Sequence, residues 1–168
     1  MKWLLAATLL LTGCGYHIAG RADLMPKDLH TIEIEPFGNN SVRANLARVI
    51  PTALAREFNS RTRYRVVSDA AQADAVLTGA ILRFDNNPTI ADPKTGRATG
   101  AQIAVVLQIT LTDRRTGKVL FSRSNYDFRQ RYEIATDPQA YFDETGTGIE
   151  RLGRDVARAV VSAVLENF

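Results

Sequence analysis

The chain has one cysteine, one tryptophan and two histidines in 168 residues. One cysteine excludes an internal disulfide and any thiolate-built metal site. Both histidines, His17 and His30, fall before residue 31, and no HExxH spacing occurs. A GxSxG nucleophile elbow is also missing. Gly146-x-Gly148 runs on to Gly153 rather than to the third glycine of a dinucleotide loop, and no clear strand precedes it. We read it as local weakening of a helix. A Ser-His-Asp set converging in space is the one remaining route to an enzyme. The expectation is therefore no catalysis, no metal and no cofactor. A strong charge of one sign is lacking as well. Lys and Arg number 21 against 18 Asp and Glu, for a net charge of +3, which gives no reason to expect nucleic acid as a partner. No apolar run approaches the roughly 20 residues of a membrane-spanning helix. There is no internal repeat and no low-complexity tract.

What is present begins at the amino terminus. Lys2 precedes a short apolar run, Trp3 to Leu11, and then Leu11-Thr12-Gly13-Cys14. A charged start, an apolar middle and small residues before a cut form an export signal. The small residues stop at the sole cysteine, which reads as a lipobox. Residues 1–13 are expected to be a removed signal peptide, and Cys14 the lipidation site. Lipid chains such as palmitate would then anchor the protein, since more than one chain makes attachment stable. Gly15, where an aspartate would favour inner-membrane retention, points to the outer membrane. Residues 14–30 become an acylated tether and 31–168 a single domain. About 155 residues suffice to bury roughly 70% of the unfolded surface.

Along the body, Ile32 and Ile34 alternate with Glu33 and Glu35, a half-buried strand closed by Pro36. Gly38-Asn39-Asn40-Ser41 reads as a turn ending in a helix cap. Val42, Leu46, Val49, Ala53 and Phe58 recur at helical spacing, predicting an amphipathic helix of about 17 residues, with Arg43, Arg48 and Arg56 off its stripe. Pro51 should kink it. Tyr64 to Val67 and Ala75 to Phe84 are predicted strands. Residues 85–100, with Pro88, Pro93, Gly96 and Gly100, read as a loop. Ala101 to Thr112 alternates cleanly, with Ile103, Val105, Leu107, Ile109 and Leu111 on one face. Asp113 to Lys118 is a hairpin with Gly117 placed for positive φ. Val119 to Tyr132 returns as a strand whose apolar phase shifts, which predicts a bulge near Ser122 to Asn125. Tyr126, Phe128 and Tyr132 are core candidates. Asp137-Pro138 opens a closing helix with Ile149, Leu152, Val156, Val160 and Ala163 in one stripe and Arg151, Arg154 and Arg158 off it. The expected fold is a single-domain α+β sandwich: a four- to five-stranded mixed or antiparallel sheet with two helices packed on one face.

Cys14-Gly15-Tyr16-His17-x-x-Gly20, at the acylation site, resembles the start of the LptE family of lipopolysaccharide-assembly lipoproteins. The order strand, helix, strands, closing helix is similar to that family, as is the Ile-Glu-Ile-Glu-Pro-Phe strand with its turn. The strand and turn also look like other exported lipoproteins, including curli-secretion types. The LptE resemblance implies a non-catalytic outer-membrane lipoprotein on the periplasmic side. Its implied partners are an LptD-type β-barrel, which it plugs and helps assemble, and lipopolysaccharide, whose insertion into the outer membrane it aids. The alternative is a lipoprotein of another secretion or envelope-assembly complex.

Topology supplies a candidate ligand site. Strands 75–84 and 119–132 run to the same end of the sheet, where the 85–100 segment lies. Lys94, Arg97, Arg129 and Arg131 are therefore expected together, as four cations suited to the phosphates of lipopolysaccharide. Arg114, Arg115 and Lys118, at the opposite end, form the rival cluster.

Overall fold

The computed structural model describes residues 25–91, 93, 96, 98–133 and 138–166. Cys14, Lys94, Arg97 and Asp137 lie outside them. The elements are β1 (Thr31–Ile34), β2 (Gly38–Asn39), α1 (Leu46–Arg61), β3 (Arg65–Val67), a short 3-10 turn (Ala70–Gln72), β4 (Ala75–Ala91), β5 (Ala98–Asp113), β6 (Val119–Glu133) and α2 (Pro138–Glu166). The sheet order is β3-β1-β4-β5-β6, and β2 pairs with β4. β1 is parallel to both β3 and β4, whereas β4, β5 and β6 form an antiparallel meander. The sheet is thus mixed, as an α+β sandwich with two helices allows.

The core lies between one face of this sheet and the helices. Ile32, Leu77, Ile81, Val105, Leu107, Ile109 and Leu111 from the strands are all buried. They meet Leu46, Ile50, Leu54 and Phe58 of α1, and Leu152, Val156, Val160 and Val164 of α2. Each such side chain contributes about 1.5–3 kcal/mol by leaving water. The period-2 pattern of β5 and the helical period of α2 therefore aim at the same layer. Met25 and Leu29, in the lead-in, also join this core.

Three expectations need correction. Residues 85–91 and 98–100 are strand rather than loop. β4 runs on to Ala91, with Asp85 opposite Ala104, Asn87 opposite Gln102 and Pro88 opposite Ala101. Neither β1 nor β2 pairs with β4 beyond Ile81, so among the described residues it is an edge there, and the missing N–H of Pro88 costs no ladder bond. The first helix starts later than predicted. Val42 is 89% exposed and lies outside it, because Asn39 organises the turn: its Oδ1 accepts from the Ser41 N–H and hydroxyl, and its Nδ2 donates to the Arg43 carbonyl. Ser41 does not cap the helix; the N-cap is Asn45, with no side-chain cap bond. Pro51 sits inside an unbroken α1 and does not split it.

Other features match. Gly117 has φ +69° in the hairpin. β6 carries a bulge where Leu107 pairs with Tyr126 but Ile109 pairs with Arg123, inserting a residue at 124–125. Tyr126 and Phe128 pack against the core from the inner face.

The helices touch at Gly153, which is buried, and a Cβ there would stand 2.5 Å from Val49 Cγ1. The two helices approach too closely for any side chain at this point. Gly153→Ala should lower stability by about 1–2 kcal/mol despite its better helix propensity. Combined with Val49→Ala it should cost less than the two single changes summed, as read by chemical denaturation.

Candidate functional site: charged clusters at the two ends of the open sheet face

The helices cover one face of the sheet. The other is lined by polar side chains, including Thr78, Thr110 and Ser122, with Thr110 Oγ1 and Ser122 Oγ 3.3 Å apart. Its two ends carry the charges.

At the far end, β4, β5 and β6 stand in register. Arg83, Val106 and Asp127 form one row; Asp85, Ala104 and Arg129 the next; Asn87, Gln102 and Arg131 the third. Arg83 Nε lies 2.7 Å from Asp85 Oδ2. Arg129 Nε donates to both carboxylate oxygens of Asp127 at 3.1 Å, and its Nη2 donates to Oδ2 at 2.6 Å. The Arg129 hydrogen bond, with lesser help from Arg83 across the sheet, holds the Asp127 carboxyl below its ordinary value. The reciprocal bond from Asp127, reinforced by Asp85, raises Arg129. Ala104 and Val106 are short, so the flanking charges interact over them. The outcome is a belt of two cations and two anions crossing three strands.

This bears directly on the predicted ligand site. Arg129 and Arg131 do share the open face at one end of the sheet, two residues apart on β6. Arg129 is engaged by Asp127, whereas Arg131 is exposed and has no ion-pair partner among the described residues. Sequence reading missed Arg83, Asp85 and Asp127. The i, i+2 spacings Arg83–Asp85 and Asp127–Arg129 were the available signal, obscured by reading residue 85 as the start of a loop.

At the opposite end, both arginines of the rival cluster are paired. Arg114 Nη1 lies 3.2 Å from Glu33 Oε2, and Arg115 pairs with Asp28. Asp28, Leu29, Ala73, Asp74, Asp113, Arg114 and Arg115 line a cleft of about 430 Å³. Asp113 Oδ1 accepts from the Thr116 N–H and closes the hairpin turn. Asp74 Oδ2 accepts from the His30 N–H at 2.8 Å, the Thr31 N–H at 2.9 Å and the Thr31 hydroxyl at 2.9 Å. The His30 N–H above all holds the Asp74 carboxyl below its ordinary value, with the Thr31 donors adding to it against a desolvation effect. This carboxylate pins the start of β1 to the start of β4. No group of metal-binding side chains occurs among the described residues.

The family model for LptE, described as lipopolysaccharide-assembly, matches residues 29–164. The chain belongs to the LptE family. It is a protein of lipopolysaccharide assembly, not an enzyme. No curated protein is a significant match. Among solved structures, the LptE-family chain is similar to an uncharacterized lipoprotein B of Nitrosomonas europaea, at 13% identity and a TM-score of 0.54, covering 82% of this chain and 83% of that one. It is similar to a putative lipoprotein of Caulobacter crescentus at 16% identity and a TM-score of 0.52, covering 80% and 87%. A PelC dodecamer from Paraburkholderia phytofirmans matches at 12% identity and a TM-score of 0.52, covering 87% and 92%. At such identities these three likenesses establish the fold.

Asp74→Ala strips the acceptor from two backbone donors, and about 1 kcal/mol of stability should go with it, a value reduced for solvent exposure. The lowered carboxyl stabilises the fold fully above the ordinary value of 3.8. That stabilisation is lost as pH falls through the lower folded value. Urea midpoints of wild type and variant should therefore differ at neutral pH and converge in acid.

Proposed function

We propose that this chain is the lipid-anchored partner of an LptD-type outer-membrane β-barrel. It plugs the barrel from the periplasmic side, aids its assembly, and contacts lipopolysaccharide during insertion into the outer membrane. The family match over residues 29–164 carries this reading. The Leu-Thr-Gly-Cys14 leader supports it by supplying an anchor. Among the described residues no helix is long and apolar enough to cross a membrane. A sheet with one polar, uncovered face fits the polar interior of a large barrel. The lipopolysaccharide site we assign to Lys94, Arg97, Arg129 and Arg131, of which Arg131 has no ion-pair partner among the described residues. A phosphate reaching Arg129 would have to share it with Asp127.

Crosslinking in intact cells, from residues on the open face such as Thr110, should capture a large β-barrel protein. Capture of nothing but higher oligomers of this chain would refute the partnership. It would favour the second reading, a self-assembling envelope lipoprotein, for which the PelC dodecamer offers a precedent of similar fold. Mass spectrometry should find Cys14 acylated at a new amino terminus; a bare thiol or an uncut leader would overturn the anchor. Lys94→Glu with Arg97→Glu, and Arg129→Glu with Arg131→Glu, should each weaken lipopolysaccharide capture without lowering the melting temperature. Unchanged capture would remove the site.

A further inference from the structure

β6 is a 15-residue strand at the end of the sheet order, and among the described residues no strand lies beside its outer edge. An edge of that length presents a row of unpaired N–H and C=O groups. The bulge at 124–125 interrupts it, leaving a regular stretch that begins at Tyr126. This stretch contains no proline, and its side chains alternate: Tyr126 and Phe128 toward the core face, Asp127, Arg129 and Arg131 toward the open face.

Charge selects the occupant of this edge. Two copies meeting edge to edge about a two-fold axis pair antiparallel, and residues directly opposite each other must share a face. The axis therefore passes through one residue. Centred on 127, it would set Asp127 against Asp127; on 129, Arg129 against Arg129; on 130, Arg129 against Arg131; on 131, Arg131 against Arg131; on 132, Arg131 would meet Glu133, but only three residues of the strand, 131–133, would pair. Like charges directly opposite are destabilising. Centred on Phe128, it sets Asp127 of each copy against Arg129 of the other, Phe128 against Phe128, and Tyr126 against Gln130. Every one of these cross-strand pairs is favourable or neutral.

We infer that the free chain forms a two-fold homodimer through the β6 edge, in the register centred on Phe128. The Asp127–Arg129 bonds made within one chain are exchanged for the same bonds between chains, so no charge is stranded in either state. Five paired residues per strand make a small contact, and the dimer is weak and reversible. Closure by the two-fold axis stops assembly at two copies. The inference does not rest on the barrel partnership, which could fail without affecting it.

The register is tested by disulfide trapping in the full chain. Opposite Cα atoms in an antiparallel pair lie about 4.5–5.5 Å apart, within disulfide range. Phe128→Cys should give a covalent dimer on mild oxidation, above the background of the parent chain with its Cys14. Adding Asp127→Arg should reduce trapping about tenfold or more, by setting Arg against Arg across the axis. Adding both Asp127→Arg and Arg129→Asp should restore it, because the exchanged pair is again self-complementary. Melting temperatures of all three should agree within a few degrees, since they differ from one another only at the exposed positions 127 and 129; if Phe128→Cys, which removes a ring packed against the core, unfolds the chain, sedimentation of the detergent-solubilised chain with the two charge variants reads the same rescue. No trapped dimer, a dimer indifferent to Asp127→Arg, or a loss not rescued by the double exchange would each overturn the inference. So would protection from hydrogen exchange, in a monomer, of those 126–130 amides that point away from β5, which would mean that another segment of the same chain covers the edge.

Discussion

The apolar layer between the sheet and its two helices is the constraint on which the remaining features depend. Ile32, Leu77, Val105, Leu107 and Ile109 leave water only when Leu54 and Phe58 of α1 and Leu152 and Val156 of α2 lie over them. Both helices must therefore sit on the same face, and they must sit close together. Gly153 against Val49 sets how close. Once that face is covered, the other is left to water, and its residues are free to be hydroxyls, amides and ion pairs. The polar face is thus a consequence of the packing and needs no separate device.

The two ends of the sheet divide the charges by role. Near the lead-in, Arg115 and Asp28 form an exposed pair, but Asp74 and Asp113 bind backbone donors and Arg114 pairs with the part-buried Glu33, which holds strand ends in place. Charges of this kind are already committed and make a poor binding surface. At the far end, the Arg83–Asp85 and Asp127–Arg129 pairs lie on exposed side chains across short central residues. Exposed pairs add little stability, so they are available to exchange partners. A lipopolysaccharide phosphate and the matching edge of a second copy would draw on the same arginine, Arg129, and the two contacts would compete.

The architecture also suits a protein of lipopolysaccharide assembly without chemistry of its own. Among the described residues no metal-binding group occurs, and the Asp74 and Asp113 carboxylates are satisfied by donors from their own chain. Function in such a protein comes from which face and which edge meet a partner, and those surfaces are products of topology.

The period-2 alternation of Ala101 to Thr112 and the helical period from Ile149 were legible because each depends on residues close in sequence. So were the hairpin at Gly117 and the bulge before Tyr126. The extent of β4 was not. Asp85, Asn86, Asn87 and Pro88 are poor strand residues locally, and they pair only because β5 lies beside them on one side and nothing requires their other edge. Val42 fits the helical spacing yet stays outside, since Asn39 captures the turn before it. The placement of Arg129 and Arg131 on the open face was foreseeable from alternation, but the capture of Arg129 by Asp127 was not foreseen. Sequence set the periods and the breakers; the tertiary structure decided which strand became an edge and which charges found each other, because both depend on neighbours far away along the chain.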